Sequence, residues 1–251
     1  MHGLARGLLD LILPPVCLAC DRVISAGDPA RYVCRRCRSL LRPPPSPLCH
    51  RCGAPRLRTG REPGPTCGEC ERWPVSIAWA RSAFLLHPPA DRVVHQLKYR
   101  GWQALAELMG QALARVERPE TTSAQPVVQS IPTTRTRLRE RGYNQAALIA
   151  RAFARCTNLP YVEWLERAPA ASSQTTLQPA KRAANVAGAF RLREDQRNSA
   201  AGKTVFLIDD VLTTGATVSE CADTLAAAGV HSVCVLTYAR ALDSERLLGA
   251  L

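Results

Sequence analysis

With 251 residues, 46% of them hydrophobic, the chain can hold one medium domain and a smaller one. Its formal charge of +12 directs attention to anionic partners, whether nucleotides, nucleic acid or a membrane surface. No stretch approaches the ~18 apolar residues a spanning helix needs, and no small-residue cleavage signal follows the start. The expected location is cytoplasmic, with the inner face of the cell membrane as a further possibility.

Residues 1–16, MHGLARGLLDLILPPV, suit a short amphipathic helix that packs onto the neighbouring cysteine-rich segment and breaks at Pro14-Pro15. Then come four CxxC pairs: Cys17/Cys20, Cys34/Cys37, Cys49/Cys52 and Cys67/Cys70, with 13, 11 and 14 residues between successive pairs. One CxxC turn places two sulfurs on one metal, and two turns complete a tetrahedral S4 site of the kind Zn2+ prefers. Four pairs therefore make two closed, structural zinc sites. The Pro-, Gly- and Arg-rich sequence between them cannot build its own apolar core, so the metals must supply the folding free energy. Sequential ligation (Cys17/20/34/37 and Cys49/52/67/70) is preferred, and interleaved ligation stays open. His50 is a bystander inside the third pair. Eight thiolates on two Zn2+ contribute about −4, which leaves the loaded chain still basic.

Glu71–Val75 reads as a linker, which divides the chain into a cysteine module, 1–73, and a larger domain, 74–251. Ile77–Leu86 is a first strand. Val93, Val94 and Leu97, then Trp102, Leu105, Leu108, Met109 and Leu113, mark one or two amphipathic helices broken near Gly101. His95 and Lys98 lie three apart there, and as a pair they read most simply as surface residues. Pro126–Pro132 is a second strand. Arg135, Arg137, Arg139 and Arg141 cluster just beyond it and suit a diphosphate or a nucleic-acid backbone, although a solvated basic loop accounts for Arg135 and Arg137. Tyr143–Cys156 is helical, with Ala147, Leu148, Ala150 and Phe153 inward, and Tyr161–Leu165 is a short strand. Residues 167–190 are small and polar, with Arg167, Lys181 and Arg182 as anion ligands, and suit a lid. Cys156, Cys221 and Cys234 read as core.

Val205–Thr217, VFLIDDVLTTGAT, is the most informative stretch. A buried-strand run leads into Asp209-Asp210. A hydroxyl- and glycine-rich turn, Thr213-Thr214-Gly215-Ala216-Thr217, then opens a helix on Val218, Cys221, Ala222 and Leu225 that Gly229 stops. Such a turn aims N–H groups and hydroxyls at an anion. The paired carboxylates add acceptors for diols, so the combination suits a ribose 5-phosphate. A final strand covers His231–Ala239.

The stretch resembles the phosphoribosyl diphosphate (PRPP) motif of type I phosphoribosyltransferases. Three further blocks look like signatures of the ComF family: His95-Gln96-Leu97-Lys98-Tyr99, Arg139 through Gln145 (RERGYNQ), and Gln174 through Phe190. That resemblance implies an α/β fold, a Rossmann-like, mostly parallel phosphoribosyltransferase domain preceded by a double zinc ribbon. It implies that Asp209 and Asp210 hold the ribose hydroxyls and that Thr213–Thr217 hold the 5-phosphate. Pro132 and Thr133 would open the diphosphate loop. Lys98, Arg139, Arg141, Arg167 and Arg182 are the further anion ligands, and Arg167–Phe190 is a hood. Mg2+ would accompany PRPP. The implied role is DNA uptake in competence, with single-stranded DNA and DNA-translocation proteins as partners. A true phosphoribosyltransferase and a PRPP sensor without turnover are the alternatives. The chain begins Met1-His2 and fills its first 70 residues with zinc ligands, so glutamine-dependent amidotransfer within this polypeptide is not expected.

Overall fold

The structure, a computed structural model, describes residues 14–25, 28, 30–56, 67–119, 125–168 and 188–242. The N-terminal helix expected before Pro14 lies outside those residues, as do Lys181, Arg182 and most of the expected hood.

Five parallel strands form the central sheet: β1 (Ile77–Leu85), β2 (Pro126–Ser130), β3 (Tyr161–Val162), β6 (Thr204–Leu212) and β7 (Ser232–Arg240). Their spatial order is β1–β7–β6–β2–β3. β6 and β7 are buried along nearly their whole length, as a parallel sheet covered on both faces requires. Phe206 and Ile208 point into one core, Val205 and Leu207 into the other.

The first core is closed by α2 (Ala90–Tyr99), α3 (Leu105–Ala114) and α5 (Gln145–Thr157). Gly101, at φ +74°, makes the break between α2 and α3. α5 buries Ala146, Ile149, Ala150 and Phe153, so the apolar stripe is rotated by about one residue from the Ala147–Leu148 reading. The second core is closed by α7 (Ala216–Ala227), through Val218, Cys221, Ala222 and Leu225, and by an antiparallel ribbon of β4 (Leu165–Arg167) with β5 (Phe190–Leu192). Two short helices add to these cores: α1 (Arg35–Ser39) brings Cys37 to the first, and α6 (Arg197–Ala200) brings Ala200 to the second.

Four sequence expectations are corrected. The Arg135–Arg141 segment is not a loop but a helix, α4, capped by Thr134, whose Oγ1 accepts from the Arg137 N–H at 3.1 Å. None of its residues is buried, so no apolar periodicity announced it. The Tyr161–Leu165 strand is two strands in two sheets. Gln129 Oε1 takes the Trp164 N–H at 2.7 Å, which pulls the chain off the β2 edge after two paired residues. Trp102 is half exposed and faces the Tyr32 ring, rather than lying in the core. Cys156 is exposed, whereas Cys221 and Cys234 are fully buried.

α3 and α5 approach closely at Gly110. A Cβ there would stand 2.4 Å from the Ala152 Cβ and 2.7 Å from the Phe153 nitrogen. Gly110→Val is therefore expected to destabilise by about 1–3 kcal/mol through overpacking. Gly101→Ala would meet no neighbour and would cost only its positive-φ strain. Denaturant midpoints of the two variants test the contrast.

The cysteine segment wraps the free edge of β1. The N–H groups of Ala80 and Leu85 donate to the carbonyls of Arg51 (2.6 Å) and Arg42 (2.8 Å). An unpaired edge strand is an aggregation hazard, and here it is covered. The first tetrad region packs with the first core through Cys17 and Cys37, the second with the second core through Cys49, Cys52 and Cys70.

Candidate functional site

β2 leads outward to β3, whereas β6 leads back to β7, so the order of connection reverses between β2 and β6. Ligands of open α/β sheets bind beyond the carboxyl ends of the strands at such a switch point. A cavity of about 560 Å3 lies there. Its walls are the β2–α4 turn (Ile131–Thr134 and Arg137), the end of β6 (Asp209, Asp210 and Val211), and Thr213 and Thr217 at the mouth of α7. Asp91, His95 and Lys98 from α2 and Arg167 from β4 complete it.

β6 runs longer than its apolar core, so Asp209 and Asp210 belong to the end of the strand rather than to a turn; Asp209 sits opposite Thr237. Alternation sends neighbouring side chains different ways. Asp210 is buried, and its Oδ1 receives the Lys98 ammonium at 2.8 Å. Asp209 keeps partial access to the cavity and accepts the Asp210 N–H at 2.8 Å. Burial, together with the carboxylate of Asp210, pushes Asp209 up to about 7. Among the described residues, Asp210 Oδ2, Thr133 Oγ1 and Arg167 Nε are buried without a hydrogen-bond partner. Buried polar atoms are normally paired. All three residues line this one cavity, so the site carries ready-made acceptors and donors for a polar ligand.

The loops are held from behind. Gly142, at φ +79°, ends α4, and the Tyr143 hydroxyl donates to the Leu97 carbonyl of α2. Asn144 caps α5 with its Oδ1 and donates from Nδ2 to the Ile131 carbonyl at 3.0 Å. The Gly142-Tyr143-Asn144 block thus fixes the β2–α4 turn. An Asn placed before a helical run was the available sign of that cap.

The cysteines gather as two sequential tetrads, Cys17/Cys20/Cys34/Cys37 and Cys49/Cys52/Cys67/Cys70, with all ligand atoms of each within 4.8 Å of one another. Sulfur separations of 3.4–3.9 Å (Cys52 to Cys67, Cys49 to Cys70, Cys20 to Cys34) match the ~3.8 Å edge of a ZnS4 tetrahedron. N–H donors face the sulfurs: Cys34 N to Cys17 Sγ at 3.3 Å, Arg56 to Cys49 Sγ at 3.7 Å, Arg240 to Cys52 Sγ at 3.8 Å. Such donors offset thiolate charge and orient the ligands. The tetrads fit two structural zinc ions.

Residues 8–71 match the model of the double zinc ribbon domain, and residues 141–247 that of the phosphoribosyl transferase domain. The DNA utilization protein YhgH of Salmonella typhimurium is 29% identical over 92% of this chain and all of its own length. Competence protein ComFC of Bacillus subtilis is 25% identical over 81% of this chain and 85% of its own. Competence protein F of Haemophilus influenzae is 26% identical over 83% and 90%. The chain is a ComF homologue. Its architecture is a double zinc ribbon followed by a mostly parallel phosphoribosyltransferase-like domain.

Within this ComF homologue the sequence-designated residues fall into four groups. Asp209, Asp210, Thr213, Thr217, Pro132, Thr133, Lys98 and Arg167 line the cavity. Thr214, Gly215 and Ala216 shape the turn behind it without lining it, and Arg182 lies outside the described residues. Arg139 and Arg141 do not line it: Arg139 is exposed, and Arg141 stacks over the Tyr99 ring at 5.0 Å and donates to Gln145. Arg137, attributed to a solvated loop from sequence, is the α4 arginine on the cavity. Lys98, a surface residue by its spacing and an anion ligand by resemblance, is paired with Asp210. Asp91, His95 and Arg137 went undesignated because helical periodicity cannot say which polar face meets a neighbouring strand end.

Lys98→Met would leave Asp210 buried and unpaired beside a second carboxylate. We expect a loss on the order of 2–4 kcal/mol, less than for a fully buried pair because Lys98 keeps some solvent contact. Lys98→Arg should recover most of it in thermal melts.

Proposed function

We propose that the cavity between β2 and β6 binds PRPP and that the protein acts, as the competence and DNA utilization names of its relatives suggest, in the handling of DNA. The observation carrying this reading is the conjunction at one switch point of paired carboxylates, cations and the mouth of α7. A ligand with diols and phosphates uses all three. Asp209 and Asp210 Oδ2 would accept from ribose hydroxyls, while Thr213 and Thr217 at the α7 terminus would take the 5-phosphate. Thr133, Arg137 and Arg167 would face the diphosphate. Hard carboxylate and phosphate oxygens suit Mg2+, which would bridge the diphosphate and ribose. Arg167 stands at the β4 end of the segment expected to cover the ligand.

Single-stranded DNA is the proposed macromolecular partner, with DNA-translocation proteins alongside it. Exposed Tyr99 and Trp102 lie in one stretch with Arg100, Arg141 stacks on Tyr99, and Arg139 is exposed on the same helix as Arg141. Aromatic faces among arginines are what single strands stack on. No helix of the described residues is long and apolar enough to cross a membrane.

Calorimetric titration with PRPP, with and without Mg2+ and an oligonucleotide, tests the reading. Saturable Mg2+-dependent heat is expected, and a flat titration would overturn it. Oligonucleotide binding should weaken steeply with salt and fall in an Arg139→Ala/Arg141→Ala variant. Diphosphate release across a panel of nucleophiles separates a transferase from a binder.

A further inference from the structure

We infer that the second zinc tetrad positions the β6–α7 turn through Trp73, so that zinc retention at Cys49/Cys52/Cys67/Cys70 and ligand affinity in the cavity are linked. The linker read from sequence as a passive joint is in fact tied at both ends. Trp73, three residues past the ligand Cys70, is buried and donates its backbone N–H to the Cys70 carbonyl at 3.1 Å. Its indole packs edge-on against the turn. Nε1 reaches the Thr214 carbonyl at 3.4 Å, and a Cβ on Gly215 would stand 2.4–2.6 Å from three ring atoms. Gly215 sits at φ +84° and is the residue on which α7 starts. The indole thus occupies the space that any side chain at 215 would need, and neither it nor Gly215 lines the cavity.

Trp73 is held in turn by the metal loop. Arg51, inside the third CxxC, donates to the carbonyls of Cys70 (2.9 Å), Trp73 (2.9 Å), Pro74 and, at 3.4 Å, Ile77. One guanidinium therefore satisfies four backbone acceptors, two in the linker and one on either side of it, and its own backbone is set by the sulfurs that flank it. At the opposite side of the tetrad, the buried Arg240 at the end of β7 donates to the Cys52 carbonyl at 2.7 Å and pairs with Glu69. Zinc, loop, linker, indole and turn form one continuous chain of contacts. Loss of that metal frees Arg51 and the linker, then the indole, and the turn no longer waits in its binding conformation. The reverse must hold by reciprocity: a ligand that orders the turn holds the second zinc more firmly, and leaves the first, which packs with the other core, unaffected.

This inference rests on the PRPP reading, so the test begins with PRPP titration of the zinc-loaded wild-type chain. Trp73→Ala, loaded with both zinc ions, is expected to bind PRPP about tenfold more weakly, and Trp73→Phe, which retains a ring, to within about threefold of wild type. A flat wild-type titration defeats the ligand reading and this inference together; wild-type binding with Trp73→Ala unchanged defeats the inference alone. Should Trp73→Ala fail to fold, the wild-type chain decides by zinc release to a chelator in excess Mg2+. PRPP should slow the release of one zinc of the two, and should slow neither in Asp209→Asn/Asp210→Asn. Equal effects on both zinc ions, or on none, overturn the proposal.

Discussion

Replacing Cys52 by Ser is expected to lower the zinc content from two ions per chain to one and to collapse the second half of the ribbon. The Cys52 sulfur is fully buried, 3.4 Å from that of Cys67, and lies against the buried guanidinium of Arg240. A structural zinc site contributes on the order of 10 kcal/mol at neutral pH, comparable with the whole stability of a typical domain. The segment between the pairs has no apolar core to replace it. The damage extends beyond the module, because the Arg51 carbonyl that closes the β1 edge belongs to the same loop. Aggregation through that edge is the expected consequence. Cys156→Ser is the control. That cysteine is exposed and belongs to neither tetrad, so its zinc content should stay at two and its stability within about 0.5 kcal/mol of wild type. Metal analysis alongside thermal melts reads both variants, and a Cys52→Ser protein that keeps two zinc ions would refute the assignment.

Asp209→Asn/Asp210→Asn is expected to abolish PRPP binding, by about 100-fold or more, since two charge-assisted acceptors are lost from the ribose side. The two single variants should differ in stability, which makes them informative apart. Asp210→Asn forfeits the Lys98 pair and destabilises. Asp209→Asn stabilises above neutral pH. Burial and the adjacent Asp210 raise the Asp209 carboxyl from its ordinary 3.8 to about 7. The folded chain therefore binds a proton that the unfolded chain has released, and ionising it costs stability as pH rises through that window. The cost is absent below about 3.8 and complete above about 7. Asn carries no such cost, so its melting advantage over wild type should grow from about pH 6 to about 7 and level off above that, a range in which both proteins keep their zinc. An advantage that shrinks with rising pH would refute the assignment. Greater stability joined to lost binding is the usual mark of a carboxylate kept for a ligand.

Much of this molecule could be read locally. Four CxxC pairs specify sulfur ligation because each pair already brings two thiolates to one point, and Val205–Thr217 specifies strand, carboxylates, turn and helix because every element of it is contiguous. Burial of Val218, Cys221, Ala222 and Leu225 follows from helical spacing alone. What depended on tertiary structure is what joins distant residues. Sequential ligation was preferred over interleaved ligation, but the choice is made by which CxxC turns the chain brings together. Until α2 and α4 were set beside the end of β6, Arg137 could not be told from a solvated surface cation, and Lys98 was singled out by family resemblance and not by its own spacing. Their roles come from contacts across 112 positions in one case (Lys98 to Asp210) and from a shared cavity wall in the other. Trp73 looked like part of a linker, because nothing near it in the chain reveals that Gly215, 142 positions later, leaves room for an indole. Local sequence determines the conformations and ligand types that short-range sterics and chemistry can enforce; which charges and rings meet is decided only when the sheet order brings the carboxyl ends of β2 and β6 together.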